Sequence, residues 1–508
     1  MNWLDNAISF LSPVWGAKRE AWRKYGDEIR NYDAAGNGNG SANWRVMNQS
    51  AEATDRYNRD TVRARSRDLE RNSDMLNSVV GAFKRNVFGG GFSLRAKTGE
   101  ESLNTELEKA WKRWCKKQNC DVTGTQSFNQ IMRMCVQRKK VDGGILILKR
   151  YTSQGFIPFQ LQTMEVDELD TAQVGPKRAG NRVVGGIEYN RWNRPMGYWF
   201  QQYDIEGALS PESIYVDAKD VIFYYSKRRP SQIREMSDLS PTITRIRDAN
   251  EFMTAVSVKE RITACLSVFV KKYNPTGIGR INNDAAKKGT YEGKTIAPGM
   301  IRELEPGDDV EVVNPNGQST DATTFIKLLQ HMIGAGQGLS YEATSRDMSE
   351  TNYASARQGM IEDGLTYDDE KELLLEAMDE IYETFVISCV LANIVQIPSF
   401  WENKENYMEH IWTAAPKKWI DPAKEATANK TALNTGQKTF QQLAAENGHD
   451  WKEQLDETLE VLKYARENGL EMGGVIFGKD DLYQGGSGDA PEGDGAAEGK
   501  QSIPGNAK

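Results

Sequence analysis

Apolar residues recur at helical spacing over three long stretches of the chain. Residues 240–273 are predicted to form one helix, with Ser240 as its N-cap and Pro241 at its first position. Residues 321–339 form a second, whose apolar face has the spacing i, i+3, i+4, i+7 and i+8: Phe325, Leu328, Leu329, Met332 and Ile333. A third runs from about 354 to 395, with one face made of Met378, Ile381, Tyr382, Phe385, Cys389 and Ile394. Helices of this length exceed the ordinary ~11–12 residues and predict an elongated architecture.

The pattern changes between residues 142 and 229. Before this block, residues 54–88, LEKAWKRWC (107–115) and SFNQIMRMCVQRKK (127–140) show helical spacing. Within it, short β-type runs such as ILILKR and DVIFYYSKR alternate with turns that contain Gly and Pro. The sequence therefore predicts an α+β protein in which a β-rich layer is carried on the preceding helices.

Capping signals divide the C-terminal part into further helices. One begins at Asp421–Pro422, a second at the capping box of Thr439 and Gln442, and a third at Asp450 with Glu453. Predicted helix ends are Gly436, Gly448 and Gly469. The tail 484–508 has little to bury and is predicted to be disordered, and residues 1–53 form an amphipathic, flexible arm.

Residues 340–353 separate the second long helix from the third. They are mostly small or polar, and they follow Gly334, Gly336 and Gly338, which we expect to give hinge freedom at the end of the helix. The segment is thus predicted to be a mobile loop with almost no core of its own.

Composition narrows the class of protein. The chain has 508 residues, 39% of them hydrophobic, and a formal charge of -8, which disfavours a tight, sequence-blind clamp on DNA. Its five cysteines (115, 120, 135, 265 and 389) are scattered, so we expect a reducing compartment and no disulfide framework. No apolar run approaches ~18 residues, and the N-terminus lacks a basic region like that of a signal peptide. We therefore expect a soluble intracellular protein.

Motifs for catalysis or metal binding are weak. KGTYEGKT (288–295) leaves only three residues between Gly289 and its Gly-Lys pair, whereas a phosphate-binding loop needs four, so a turn is favoured. The three histidines (331, 410 and 449) and the cysteines lack the spacing of metal ligands. We predict no catalytic residue, no cofactor and no metal.

Two charged stretches allow two interpretations each. The arginines at 59, 63, 65, 67 and 71 are interleaved with Asp60, Asp68 and Glu70, which favours structural ion pairs or a subunit interface over nucleic-acid contacts. The acidic residues between 368 and 383 form either a solvated helix face or a wall that repels a phosphate backbone.

Four stretches occur in an order that resembles a known family. They are RARSRDLERNS (63–73), VDAKDVIFYYSKRRPSQIREMSDLSP (216–241), GLSYEATSRDMSETNYASAR (338–357) and PKKWIDPAKEA (416–426). Together they resemble the lambda-type portal proteins of tailed bacteriophages over roughly residues 55–470. The resemblance implies an α+β portal fold with long stem helices, assembled as a dodecameric ring with an axial channel.

The resemblance also implies a division of the chain. This division would comprise the wing (54–239), the first stem helix (240–273), the clip (274–320) and the second stem helix (321–339). These would be followed by the tunnel loop (340–353), the long helix with the return to the wing (354–420) and the crown helices (421–483). Candidate channel residues are then Tyr341, Ser345, Arg346, Asp347, Met348, Ser349, Asn352 and Tyr353. Candidate stem residues are Phe325, Lys327, Leu328 and Met332.

The implied function is a conduit for DNA packaging and ejection at one capsid vertex of the virion, assembled in the host cytoplasm. The implied partners are copies of the chain itself, the terminase large subunit, a head–tail adaptor, the major capsid and scaffolding proteins, and double-stranded DNA bound non-specifically, with no membrane. The alternatives are a nucleotide-dependent DNA motor, which would rest on residues 288–295, and another head–tail adaptor ring component. The length of the chain and the two long helices that flank a small insertion count against the adaptor.

Overall fold

The computed structural model describes residues 14–15, 18, 48–203, 206–207, 212–264, 269–270, 302–303, 319–415, 422–449 and 451–470. Most of the predicted arm, most of the clip with the 288–295 motif, Cys265 and the tail 484–508 lie outside these residues. By Cα proximity the chain divides into two units. The first comprises 1–84, 134–150 and 161–377, and the second 85–133, 151–160 and 378–508.

Helices and strands are mixed along the described chain, as the sequence predicts. The helices are α1 Ala51–Asp55, α2 Arg59–Asn72, α3 Asp74–Phe83, α4 Glu101–Trp114, α5 Lys117–Cys120, α6 Phe128–Asp142, α7 Ile243–Ala264, α8 Ser319–Gly336, α9 Tyr341–Ser345, α10 Tyr353–Leu391, α11 Lys404–Met408, α12 Pro422–Asn434, α13 Phe440–Glu446 and α14 Trp451–Glu467. The strands are β1 Phe92–Ala96, β2 Gly144–Arg150, β3 Gln160–Met164, β4 Arg182–Val184, β5 Ile187–Tyr189, β6 Pro195–Phe200, β7 Ile214–Asp217, β8 Val221–Tyr225, β9 Phe269–Val270, β10 Arg302–Glu303 and β11 His410–Ala414.

The predicted β-rich block is confirmed, and it consists of two sheets. A three-stranded sheet has the order β3-β2-β8, with β2 and β8 antiparallel, and a four-stranded antiparallel sheet has the order β4-β5-β6-β7. Residues of both sheets and their connections share one buried cluster: Leu146, Leu148, Val166, Leu169, Ile187, Tyr189, Tyr198, Phe200, Val216 and Val221. Burial of this apolar surface holds the two sheets together.

Ion pairs fix the arginine-rich helix α2 within the first unit. Arg63 pairs with Asp167 at 2.5 Å and with Glu235 at 3.2 Å, and both Arg63 and Glu235 are buried. Arg67 pairs with Asp142 at 2.7 Å. Because these guanidinium groups already have carboxylate partners within the unit, the structural interpretation of Arg63 and Arg67 is confirmed.

A second buried charge cluster joins α6 and α10 in the same unit. Lys139 and Lys140 both contact Glu370 of α10 and Asp238 in the connection before α7. The Lys140 ammonium also lies 3.7 Å from the centroid of the Phe83 ring. Glu370, whose side chain is 15% exposed, is therefore an anchor for these lysines and not part of a solvated acidic face.

The second unit has an aromatic core. Trp111 of α4 is at its centre and packs against Trp114, Phe128, Tyr382, Phe385 and Trp412. The buried positions of Met378, Ile381, Tyr382, Phe385 and Cys389 confirm the predicted apolar face of α10 up to Cys389. The capping box of Thr439 and Gln442 is present, and the three predicted end glycines all have positive φ.

Two predicted helix boundaries are wrong. The helix predicted over 240–273 begins at Ile243, because the carbonyl of Leu239 accepts hydrogen bonds from the amides of Thr242 and Ile243 in a turn that precedes it. Residues 269–270 form a strand, β9, that pairs with β10 in parallel.

Helix α10 ends at Leu391, before the predicted limit of about 395. Asn393 adopts φ 56°, and the amide of Ile394 donates to the carbonyl of Cys389 at 3.0 Å, which closes the helix with a left-handed cap. Ile394 is consequently exposed and does not continue the buried face.

Candidate functional site

Helix α8 ends in a tight turn within the first unit. Gly338 adopts φ +70°. The amide of Leu339 donates to the carbonyl of Gly334 at 2.9 Å, and the amide of Gly338 donates to the carbonyl of Ala335 at 3.1 Å. These paired bonds satisfy the last carbonyls of the helix and need a left-handed residue, which glycine provides without strain.

The other two glycines of this stretch permit close packing and do not act as hinges. A Cβ at Gly334 would lie 2.8 Å from the carbonyl oxygen of Leu339, and one at Gly336 would lie 2.7 Å from Cγ2 of Thr242. No side chain fits at those distances without displacement of its neighbours. The predicted hinge freedom at Gly334 and Gly336 is therefore wrong.

The first part of the predicted loop is an anchored helix. The hydroxyl of Ser340 accepts from the amide of Ala343 at 3.2 Å and so caps α9. Asp363 of α10, which is buried, accepts from the amide of Ser340 at 2.6 Å and from its hydroxyl at 2.7 Å. The expectation of a mobile loop over all of 340–353 is thus wrong for residues 340–345, because capping and this carboxylate fix them.

Two further contacts hold α9 on its neighbours. Ser78 of α3 donates from its hydroxyl to the carbonyl of Thr344 at 2.5 Å. The ring of Tyr341 stacks on that of His331 of α8, with centroids 4.3 Å apart. As a result, Tyr341 and Ser345, two of the candidate channel residues, belong to a packed helix.

Residues 346–352 form neither helix nor strand, and we call them the channel segment. It begins at Arg346, which has φ 59° and ends α9. Glu350 accepts from the ammonium of Lys327 at 2.6 Å, and Thr351 donates to Glu342 at 3.0 Å. The hydroxyl of Tyr341 donates to Asp347 at 3.2 Å. Three side-chain contacts therefore hold the channel segment against α8 and α9.

Two ionisable groups of this region have shifted pKa values. The hydrogen bond to Glu350 raises the pKa of Lys327. Hydrogen bonds from Ser349 lower the pKa of Asp347. Both side chains therefore stay charged at neutral pH.

The remaining candidate channel residues take different positions. Arg346, Met348 and Ser349 are exposed. Asn352 accepts from the amide of Ser355 at 2.8 Å and so caps α10, of which Tyr353 is the first residue. The structure brings Arg346, Asp347, Met348 and Ser349 together on one exposed stretch.

The candidate stem residues are largely uncovered within the chain. Phe325, Leu328 and Met332 of α8 are all exposed, although the ring of Phe325 contacts that of Phe252 of α7 at 4.8 Å between centroids. Exposed apolar side chains also mark the first half of α10: Met360, Ile361 and Leu365. The helix predicted from the spacing of these residues is confirmed as α8, but its apolar face is only partly buried by this chain.

Asp363 and Glu350 were missed by the sequence-based reasoning. Asp363 lies between Glu362 and Gly364 in a helical run, and its partner Ser340 is 23 positions away, so no local pattern marks it. Glu350 is likewise 23 positions from Lys327, so nothing local in the sequence pairs the two.

Among the described residues, no group of His, Cys, Asp or Glu side chains is arranged to hold a metal ion. None of the helices in the described part of the chain combines the length and the apolar character needed to cross a membrane.

Comparison with protein families identifies the class. Residues 37–371, more than half of the chain, match the family described as "Phage portal protein, lambda family". The class is thus that of phage portal proteins, and the chain belongs to their lambda family.

Individual proteins are also similar to this chain. A "Probable portal protein" of Halomonas phage phiHAP-1 is 24% identical over 429 residues, which cover 81% of this chain and 82% of that protein. "Portal protein B" of Escherichia phage lambda is 20% identical over 483 residues, covering 85% and 90%. Among solved structures, a chain in the neck of an empty GTA particle aligns with 12% identity and a TM-score of 0.41, covering 76% of this chain and 93% of that one.

Proposed function

We propose that the chain assembles into a closed ring of twelve copies at one capsid vertex of the virion, and that double-stranded DNA passes along the axis of this ring during packaging and ejection. Six exposed apolar side chains on α8 and α10 carry the proposal: Phe325, Leu328, Met332, Met360, Ile361 and Leu365. Exposed apolar surface on regular helices marks an interaction site, and a ring of identical copies would bury it.

The channel segment supports the second part of the proposal. It follows the proposed second stem helix, α8, and is anchored at both ends, by α9 and by the Asn352 cap. Its exposed residues include one arginine, one methionine and one serine, so it could touch a phosphate backbone without binding it tightly. Weak contact suits a channel along which DNA must slide.

The residues of the clip, 274–320, would meet the terminase large subunit and the head–tail adaptor in this arrangement. Their position between the proposed stem helices α7 and α8 supports this assignment. Hydrogen exchange of residues 274–320 should slow when either partner is added to purified rings. Unchanged exchange with both partners would place the docking surface elsewhere.

We propose no catalytic activity for the chain. The motif at 288–295 is one residue short of a phosphate-binding loop. ATP turnover by purified rings, abolished by Lys294→Ala, would instead support a nucleotide-dependent motor.

Ring assembly is tested by light scattering and negative-stain imaging of the purified chain. We expect particles with a central channel. A stable monomer of 57.1 kDa at micromolar concentration would contradict the proposal. Leu328→Glu together with Leu365→Glu should prevent rings, since both side chains are exposed and their replacement leaves the isolated chain folded.

A further inference from the structure

We propose that Lys327 is a contact for the phosphodiester backbone of DNA and that Glu350 occupies its ammonium group when DNA is absent. This inference rests on the proposed function, because it concerns the surface along which DNA would pass. It adds a specific cation, the carboxylate that competes for it, and an exchange between the two ligands.

The geometry of the pair supports an exchange. The Lys327 ammonium and the Glu350 carboxylate are 2.6 Å apart, and the Glu350 side chain is 79% exposed while that of Lys327 is 31% exposed. Exposed ion pairs stabilise a protein only weakly, so the pair opens readily. Opening requires no rearrangement of a helix, because Glu350 lies in the channel segment while Lys327 lies on α8.

The charges around the pair explain why it would not trap DNA. Lys327 together with residues 341–352 carries two positive charges, on Lys327 and Arg346, and three negative charges, on Glu342, Asp347 and Glu350. With the pair closed, the surface is slightly negative and repels phosphate. Only when Glu350 leaves does Lys327 present an unpaired ammonium.

A phosphate and a carboxylate are alternative partners of the same kind for an ammonium group. When DNA approaches, a phosphate oxygen replaces Glu350 at Lys327. When DNA moves on, Glu350 returns, and the ammonium is neutralised again. Each step exchanges one charge-assisted hydrogen bond for another, so the contact can be made and broken repeatedly as DNA slides.

The experiment measures the binding of a short fluorescent DNA duplex to purified rings by anisotropy, over a series of salt concentrations. Glu350→Gln is compared with Glu362→Gln, which removes the same charge from an exposed position of α10 where the carboxylate accepts from Gln358 at 2.9 Å. We expect Glu350→Gln to bind DNA more tightly than Glu362→Gln. The slope of log affinity against log salt should steepen by about 0.9 for each Lys327 that gains a phosphate.

The double variant Lys327→Gln/Glu350→Gln should lose the gain in affinity. Glu350→Ala serves as a second single variant and should reproduce the tighter binding. The inference is overturned if Glu350→Gln and Glu362→Gln bind alike, or if the double variant keeps the gain. Either result with intact rings would leave the proposed portal function standing, whereas a failure of the wild-type chain to form rings would contradict that function itself.

Discussion

Asp363 accepts two hydrogen bonds from Ser340, one from the amide and one from the hydroxyl, and is itself buried. Since Ser340 begins α9 and Asp363 belongs to α10, this single carboxylate fixes the start of one helix on the side of another. The end of α8 is held in the same way, because Thr366 donates to the carbonyl of Gly338 at 2.7 Å. The turn after α8 and the start of α9 are therefore both joined to α10.

Removal of the Asp363 carboxylate should destabilise the first unit. Asp363→Ala leaves the amide and hydroxyl of Ser340 without their acceptor, which costs about 1–3 kcal/mol for a partly buried group. Urea unfolding should show this loss in the free energy of unfolding, while the neighbouring exposed Glu362→Ala should stay within about 0.5 kcal/mol of wild type. Equal stability of the two variants would mean that water replaces the carboxylate without cost.

Two glycine substitutions should act in opposite directions. Gly334→Ala places a Cβ 2.8 Å from a backbone oxygen and should destabilise the chain by about 1–3 kcal/mol. Gly364→Ala meets no atom within 4 Å on helix α10 and should stabilise it by about 0.5–1 kcal/mol. The comparison is made by urea unfolding at concentrations too low for assembly. Stabilisation by both substitutions would show that the turn after α8 can relax.

The buried cluster around Glu370 predicts a larger effect. Glu370→Gln removes one of the two carboxylates that Lys139 and Lys140 share, and an uncompensated buried charge costs about 3–5 kcal/mol. The matched control is Glu372→Gln, which changes the same charge at an exposed position of the same helix and should have little effect. Comparable unfolding midpoints for the two variants would rule out an anchoring role for Glu370.

Asp238 predicts a dependence of stability on pH. Burial raises its pKa, but the charges of Lys140, Lys139 and Arg228 outweigh burial, so the pKa lies below the ordinary value of 3.8. A depressed pKa in the folded state means that the contribution to stability is present above that ordinary value and is lost as pH falls through the folded pKa. The free energy of unfolding should therefore fall with pH below about 4, and Asp238→Asn should make this fall less steep. An identical pH profile for Asp238→Asn would contradict the assignment.

The channel segment predicts a functional defect without loss of assembly. Replacement of residues 347–350 by Gly-Ser-Gly-Ser leaves α9 and the Asn352 cap in place, so rings should still form. In a portal-defective phage complemented with this variant, packaged genome length or retention of DNA should decrease. Arg346→Ala should have a milder effect, because contacts of one exposed charge are screened beyond ~8–10 Å in salt. Full-length, stably retained DNA with the replaced segment would place the channel contact elsewhere.

Features with a local signature were predictable from the sequence. The apolar face of α10 through Cys389 follows from helical spacing, and the start of α13 follows from the capping box of Thr439 and Gln442. Features made by distant partners were not. Strand β1 pairs with β11, more than 300 residues later in the chain, and no local pattern in residues 92–96 indicates that partner.

At the candidate site, the sequence predicted a loop after the second long helix but not the contacts that fix the first part of that loop. Small residues predicted mobility throughout 340–353, whereas the hydroxyl of Ser340 and the carbonyl of Thr344 accept hydrogen bonds that fix α9. The same residue types serve flexible loops and helix caps, and only the position of an acceptor such as Asp363 decides between them.

The anchoring of α9 limits how far the channel segment can reach. The seven residues from 346 to 352 span at most about 25 Å when fully extended, and a segment held at both ends can reach outward by roughly half of that. Gly334 and Gly336 are closely packed at the end of α8, so this end of the helix adds little to the reach of the segment. The segment can therefore follow an object beside it over only about 12 Å, a few base-pair steps along a duplex, before it must release one contact and take the next.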